Sequence, residues 1–343
     1  MKIGIFVRKQ NVFSNGAGQN CIFMCDSLRA LGHVVDLIYI DDFYKNPYLN
    51  SYQLIIFGTI VPHEAIRSKL RCLNIPCIMF SPCNVVDQFH NENFLYDCRP
   101  SSGPLLFEMT FKDIADEIWV TENHYSSIEY LEVINQYQIP VVSVPLVWSP
   151  MFLPPVVNRL QGSGPIDILI MEPNLGYCKS GWIPLIICEK LFLDFPQTIN
   201  KVYLFNTPEK NKTAMNMISS LEVWKKEKLR IMKRIPIPDI LGFFNKTPCK
   251  PVVLSNSINS PLNYAYFDIL HGMYNFVHNS NILQSNNIGH HYNTISEGVI
   301  ALQKISTDTN LNCSDNISDF LANQHPCSKK SLETFENILK KYQ

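Results

Sequence analysis

Three short stretches gather residue types that bind anions and polyols. In "SNGAGQN", residues 14–20, a glycine-bearing turn at Gly16 and Gly18 stands between a strand and a helix start. Free backbone N–H groups at the positive end of a helix dipole suit an anion or sugar hydroxyls, with Gln19 and Asn20 alongside. An ordinary loop-to-helix junction has the same residues. In "IDILIMEPNLGYCKSG" an apolar strand ends at Met171, and Glu172, Asn174 and Lys179 follow within one loop. Lys179, with Ser180 and Gly181 beside it, either neutralises a diphosphate or is a solvated loop residue. In "NSINSPLNYAYFDILHGMYNFVHNS", Ser260 and Pro261 form an N-cap and N1 pair. Leu262, Ala265, Ile269, Leu270 and Met273 mark a buried helical face, and Ser260, Tyr264, Asp268 and His271 fall on another. A mid-helix Asp268 gains little from the helix dipole; it serves a ligand hydroxyl or faces solvent.

Three histidines, His63, His90 and His124, follow strand candidates, where a general base can sit. His290 and His291 are adjacent in a loop, a poor geometry for chelating one metal. The fingerprint GxGxxG is missing, since Gln19, Asn20 and Cys21 follow Gly18, which disfavours a nicotinamide or flavin cofactor.

These stretches sit in an alternation of short apolar runs and helical patterns that argues for parallel sheets covered by helices. In the first half the strands are 2–7, 34–40, 53–57, 76–80, 117–121 and 140–144, with helices at 19–31, 62–73 and 123–137. The proline-rich "VPLVWSPMFLPPVVNRLQGSGP" interrupts the pattern as a linker candidate. Strands at 166–171, 201–205, 229–233, 250–254 and 275–278 then alternate with helices at 180–194, 209–220, 237–245 and 261–272. Residues 305–328 are polar and weakly patterned, and "KKSLETFENILKKYQ" is an amphipathic helix with Leu332, Phe335, Ile338 and Leu339 on one side.

The chain of 343 residues fits two domains of about 150 residues each. A formal charge of −1 gives no broad attraction to nucleic acid or anionic lipid. The eleven cysteines form no CxxC pair and no Cys/His set with zinc spacing, and many lie in apolar runs, as expected of a reducing interior. With no membrane-span-length apolar run, the expectation is a cytoplasmic protein for which peripheral membrane contact stays open.

At these residues a resemblance enters. "GAGQNCIFMCDSLRALGHVV" resembles the first loop and helix of retaining GT-B glycosyltransferases, a Gly-Gly loop and a helix ending Leu-x-x-x-Gly-His-x-Val. "ILIMEPNLGYCKSGWIPLIICEKL" is similar to the Gly-Arg-Leu … Lys-Gly segment that opens their donor domain, and "YFDILHGMYNFVHNS" to their paired-glutamate segment, with Asp268 at the second Glu. A closer resemblance is to an uncharacterised GT-B-like family of bacteria, a domain of unknown function, through Asn15 to Asn20, Val144 to Phe152, Glu172 to Asn174 and Pro261 to Ser280.

The resemblance implies an α/β GT-B-like fold of two Rossmann-like, doubly wound domains facing each other across a cleft. An acceptor-side domain would span 1–147, a linker 148–163 and a donor domain 164–304, with the helix 329–343 packing back onto the first domain. It implies a hexosyltransferase-type enzyme moving sugar from a nucleoside-diphosphate sugar to a glycan, lipid or protein, with no obligatory metal and no nucleic-acid partner. Glu172, Asn174, Lys179, Asn263, Tyr264 and Asp268 would hold the donor; Gly16, Gly18, Gln19 and Asn20 would meet donor phosphate or acceptor. His124 would stand near the transferred sugar. Two departures keep other readings open: Glu172, Pro173 and Asn174 stand in place of Gly-Arg-Leu, and Ser260 in place of the first Glu. The alternatives are a nucleotide-sugar epimerase of this fold and a sugar-nucleotide-binding or scaffold protein without catalysis.

Overall fold

The computed structural model describes residues 1–9, 16–45, 48–58, 62, 64–84, 115–155, 164–174, 177–207, 212–244, 247–308 and 316–343. The candidate histidines His63 and His90 lie outside the described residues. The chain forms two compact units, Met1–Ser149 with Ala322–Gln343, and Pro150–Leu321.

The first unit carries β1 (Lys2–Val7), β2 (Val34–Tyr39), β3 (Leu54–Gly58), β4 (Cys77–Ser81), β5 (Glu117–Thr121) and β6 (Val141–Val144). They pair in parallel in the order β2-β1-β3-β4-β5-β6. A parallel sheet covered on both faces needs near-continuous apolar strands, and β3 is buried at every position. Phe6, Phe43 and Phe57 meet in the core on one side. At Gly58 the helix Gly16–Ala30 comes so close that a Cβ would stand 2.3 Å from the Cys21 sulfur.

The C-terminal segment completes this unit. Trp148 N–H donates to Gln324 O (2.8 Å) and Ser27 Oγ to Pro326 O (2.8 Å). Phe335, on the helix Lys329–Leu339, packs on Trp119 of β5. The carboxylate of Glu117, buried at the start of β5, accepts from Trp119 Nε1 (2.5 Å), Tyr342 Oη (3.1 Å) and the Lys341 ammonium.

The second unit carries β7 (Ile166–Ile170), β8 (Ile199–Phe205), β9 (Leu229–Met232), β10 (Lys250–Leu254), β11 (Asn275–His278) and β12 (His290–His291). These are parallel in the order β12-β11-β10-β7-β8-β9. The helices Trp182–Asp194 and Ile295–Thr307 pack closely where Gly298 meets Ile187, 2.8 Å from an added Cβ.

Several sequence expectations change. The first helix begins at Gly16, so Gly16 and Gly18 belong to its first turn rather than to a turn before it. The expected helix 123–137 is a 3-10 turn at Glu122–His124 and a helix at Ser127–Ile134, because Gln136 and Tyr137 take left-handed φ of 54° and 57°. The polar stretch 305–328 is not weakly ordered throughout. The preceding helix runs to Thr307, and Asn316–Asn323 is helical because Ile317 and Phe320 are buried, Phe320 stacking on Phe267 at 5.9 Å. The linker candidate begins inside the first unit, with Leu146, Val147 and Trp148 buried.

Lys341→Met removes one donor from Glu117, whose side chain is 2% exposed, while Lys341 is itself 48% exposed and screened. The expected loss is about 1–2 kcal/mol, a lowering of the thermal midpoint by a few degrees. In a double-mutant cycle with Glu117→Gln the Lys341 substitution should become nearly silent; equal losses in both backgrounds would show that the pair contributes nothing.

Candidate functional site

In the second unit the chain runs from β7 outward through β8 and β9, then returns to β10 on the other side of β7. The loops after β7 and β10 therefore diverge at the carboxyl edge, where doubly wound sheets hold ligands. Glu172 lies two residues past β7 and is 5% exposed. Its Oε1 accepts from Ser255 Oγ and from Asn256 N–H (3.1 Å), both just past β10. A serine hydroxyl has one proton; with Ser255 donating to Glu172, the 3.0 Å contact with Tyr266 Oη is made by the tyrosine's proton. Tyr292 Oη donates to Ser255 O (2.9 Å) and lies 3.2 Å from Asn256 Oδ1. Burial pushes the Glu172 carboxyl up to about 7, against the opposing effects of Ser255, Lys179 and Asn256. Burial also holds the Tyr266 and Tyr292 hydroxyls well above their ordinary range.

Asparagines shape the surrounding loops. Asn174 and Asn206 take left-handed φ of 52° and 58°. Each reaches across to the other's strand end: Asn174 Nδ2 donates to Phe205 O (3.0 Å), and Asn206 Nδ2 to Met171 O (3.2 Å) and Glu172 O (3.0 Å). Asn174 also accepts from Gly181 N–H (2.7 Å), and its own N–H donates to Lys179 O (3.1 Å). Gly181 packs closely, since a Cβ would stand 2.9 Å from the tip of the Leu204 side chain, which would have to shift. Ile258 N–H donates to Cys178 O (2.8 Å), tying the loop after β10 to this one. Lys179 ends the 3-10 turn Tyr177–Lys179, half-buried, and its ammonium makes no ion pair among the described residues.

The structure thus brings Glu172, Asn174 and Lys179 to one edge, with the Asn174 amide engaged in holding the loop. Asn263 is the N-cap of the helix Tyr264–His271, its Oδ1 accepting from Tyr266 N–H (3.3 Å), so the expected cap at Ser260 lies three residues too early. Asn263 prevails because its extended backbone aims its side chain at the first-turn donors. The buried face differs from the expected one too. Tyr264 and Asp268 are buried, as are all residues from Tyr266 to Leu270, while Met273 is 43% exposed. Among the described residues the buried Ser260 Oγ, Thr207 Oγ1 and Asn206 Oδ1 have no hydrogen-bond partner. Ser255, Asn256, Tyr266 and Tyr292 were not singled out in the sequence; the signal was "VVLSNS", an apolar strand breaking into three small polar residues.

In the first unit the corresponding divergence lies between β1 and β3. The helix Gly16–Ala30 starts there, with Gln19 and Asn20 buried and Asn20 Nδ2 donating to Gly16 O (3.2 Å). A Cβ on Gly18 would meet nothing within 4 Å, so no described residue requires glycine there. His124 is buried after β5, its Nε2 3.2 Å from Asn123 Nδ2. It lies three strands from β1, about 14 Å at ~4.8 Å per strand. Among the described residues no three His, Cys, Asp or Glu side chains converge to hold a metal, and no helix is long and apolar enough to cross a membrane.

A family model described as "Protein of unknown function (DUF2827)" matches residues 53–343. The chain belongs to the DUF2827 family. No curated protein matches its sequence. Solved structures do match this DUF2827 chain. An alpha-glucosyltransferase in complex with UDP and a 13-mer DNA containing a HMU base is similar over 100% of this chain and 99% of its own, at 13% identity and a TM-score of 0.64. HepE from Anabaena, in complex with UDP and glucose, is similar over 99% and 100%, at 8% identity and a TM-score of 0.55. TarM is similar over 84% of this chain and 54% of its own, at 12% identity and a TM-score of 0.52. The fold is GT-B-like, two Rossmann-like α/β units.

Glu172 makes a measurable stability term. Its carboxyl is raised in the folded state from an ordinary 4.5 to about 7, so its contribution is full below pH 4.5 and is lost as pH rises through 7. His278 runs oppositely. Burial pushes it down to about 4, so its contribution is full above pH 6.5 and is lost as pH falls through 4. Glu172→Gln removes the first term only. The variant should gain on the wild type by roughly 3 kcal/mol between pH 4.5 and pH 8, several degrees in thermal midpoint. Parallel pH profiles for the two proteins would refute the assignment.

Proposed function

We propose that this chain is a glycosyltransferase of hexosyltransferase type, taking its sugar from a nucleoside-diphosphate sugar bound at the carboxyl edge of the second sheet. The observation that carries this reading is the polar cluster at the divergence of β7 and β10, with Lys179 in no ion pair among the described residues, in a fold whose solved neighbours hold UDP. Lys179 stabilises the leaving diphosphate, the electrostatic contribution that commonly dominates such chemistry. Asp268 and Tyr264, both buried on one helix, contact the ribose and line the nucleotide pocket. Asn174 and Asn263 act by positioning, since their side-chain oxygens already serve the loop and the helix start.

In the first unit, Gly16, Gly18, Gln19 and Asn20 meet acceptor or donor phosphate at the first turn of a helix, and His124 acts near the transferred sugar. No step in this scheme requires a metal. The solved alpha-glucosyltransferase holds DNA. This chain's net charge of −1 supports a glycan, lipid or protein acceptor instead, because phosphate-backbone binding rests on excess positive charge. Glu172 and Ser260, which depart from the related enzymes, favour as second reading a sugar-nucleotide-binding protein without transfer.

A thermal-shift screen against nucleoside diphosphates and their sugars tests the reading. A ligand at 100 times its dissociation constant stabilises by about 2.7 kcal/mol. UDP and a UDP-sugar should raise the midpoint, and Lys179→Ala and Asp268→Ala should each weaken binding about 10- to 100-fold. His124→Ala should bind normally and lose turnover. No shift with any nucleotide in folded protein would end the proposal. Donor turnover without acceptor would indicate an epimerase; binding with neither transfer nor hydrolysis, the second reading.

A further inference from the structure

At the carboxyl edge of the second sheet, a buried carboxyl group lies where the loops after β7 and β10 diverge. Both hydrogen bonds that Glu172 receives fall on Oε1. Backbone N–H can only donate and a carbonyl-type oxygen is the better acceptor, so the Asn256 contact favours Oε1 as the acceptor and Oε2 as the site of a proton. Oε2 has no hydrogen-bond partner among the described residues although the side chain is nine-tenths buried. Lys179, nine residues from the end of β7 by way of the clasped loop, acts electrostatically on the same carboxyl. An ionised Glu172 would repel a diphosphate and cancel Lys179, whereas the acid would present a second donor beside it.

We propose that Glu172 binds the diphosphate as an uncharged acid, its Oε2–H donating to a phosphate oxygen beside Lys179, so that nucleotide binding takes up a proton whenever the free protein is ionised. This rests on the nucleotide-binding reading above and assigns that site a specificity-determining residue. The proton comes from solvent and no bond other than O–H forms. The groups facing Glu172 do not compete for it. Lys179 comes from the 3-10 turn, Tyr266 from the helix Tyr264–His271 that also carries Asp268, and Tyr292 from beyond β12. Cys188, from the helix Trp182–Asp194, acts on Tyr292. Burial keeps both tyrosines and Cys188 protonated, and His278 on the neighbouring β11 neutral, throughout the neutral range. Burial is what favours the uncharged acid, and it prevails over the hydrogen bonds from Ser255 and Asn256 and the charge of Lys179, which favour the carboxylate.

Isothermal titration with UDP at pH 8, in two buffers of different ionisation enthalpy, reads the proton directly. Wild type should take up most of one proton per UDP, and its affinity should fall up to tenfold per pH unit between pH 7 and 9. Glu172→Gln, an amide that mimics the acid, should take up less by that amount and bind UDP with little pH dependence. The infrared difference spectrum of wild-type binding, in which a carboxylate band is replaced by a carboxylic-acid band, keeps the test decisive should the variant not fold. UDP binding without proton uptake or the acid band, or with uptake unchanged in the variant, overturns the role of Glu172 and leaves the nucleotide reading standing. No UDP binding to folded wild type overturns both.

Discussion

A carboxyl group buried between the ends of two adjacent parallel strands must be satisfied by what their loops bring to it. In the second unit the carboxyl edge is arranged around this need at Glu172. Ser255 and Asn256 supply the donors, Tyr266 supports Ser255 from the helix that follows, and Tyr292 holds the carbonyl of Ser255 from the far side of the sheet. The network couples four elements distant in sequence, and each member is buried where an unmade hydrogen bond costs about 1–3 kcal/mol. Its chemistry is consequently that of a hydrogen-bonding surface around a carboxyl group that titrates at about 7, with Lys179 at its margin.

Asparagine does in these loops what glycine does in many proteins. Asn174, Asn206 and Asn259, after β7, β8 and β10, all take left-handed backbone angles. Asparagine tolerates that conformation and adds an amide that can bridge to a neighbouring strand. Composition hides this role, because nothing in "MEPNLG" distinguishes an asparagine that turns the chain from one that meets a ligand.

The strands were legible because parallel strands covered on both faces are continuous apolar runs; β1, β5, β10 and β11 have the boundaries their sequences suggest. The placement of Glu172 and Lys179 in the loop after β7 was legible, because the apolar strand ends just before them. The cap at Asn263 was not, because Ser260-Pro261 is the stronger local signal and the extended backbone at Asn263 is set by packing. The helix Asn316–Asn323 was hidden for a related reason: only Ile317 and Phe320 are buried, and their partners lie elsewhere in the chain. Glu117 likewise looks misplaced in an apolar strand until Lys341 and Tyr342, more than 200 residues later, are brought beside it.

That last pairing governs the order in which the protein can be assembled. The first unit draws on Met1–Ser149 and again on Ala322–Gln343, with all of the second unit made between them. During synthesis the earlier strands emerge first, yet Trp119 lacks Phe335 and Glu117 lacks its cation until Phe335 and Lys341 have left the ribosome. The second unit, continuous in sequence, has every residue it needs before then. A nested domain is therefore able to fold while its host is still incomplete, and for that interval the host's unfinished face is open to chaperones or to other nascent chains.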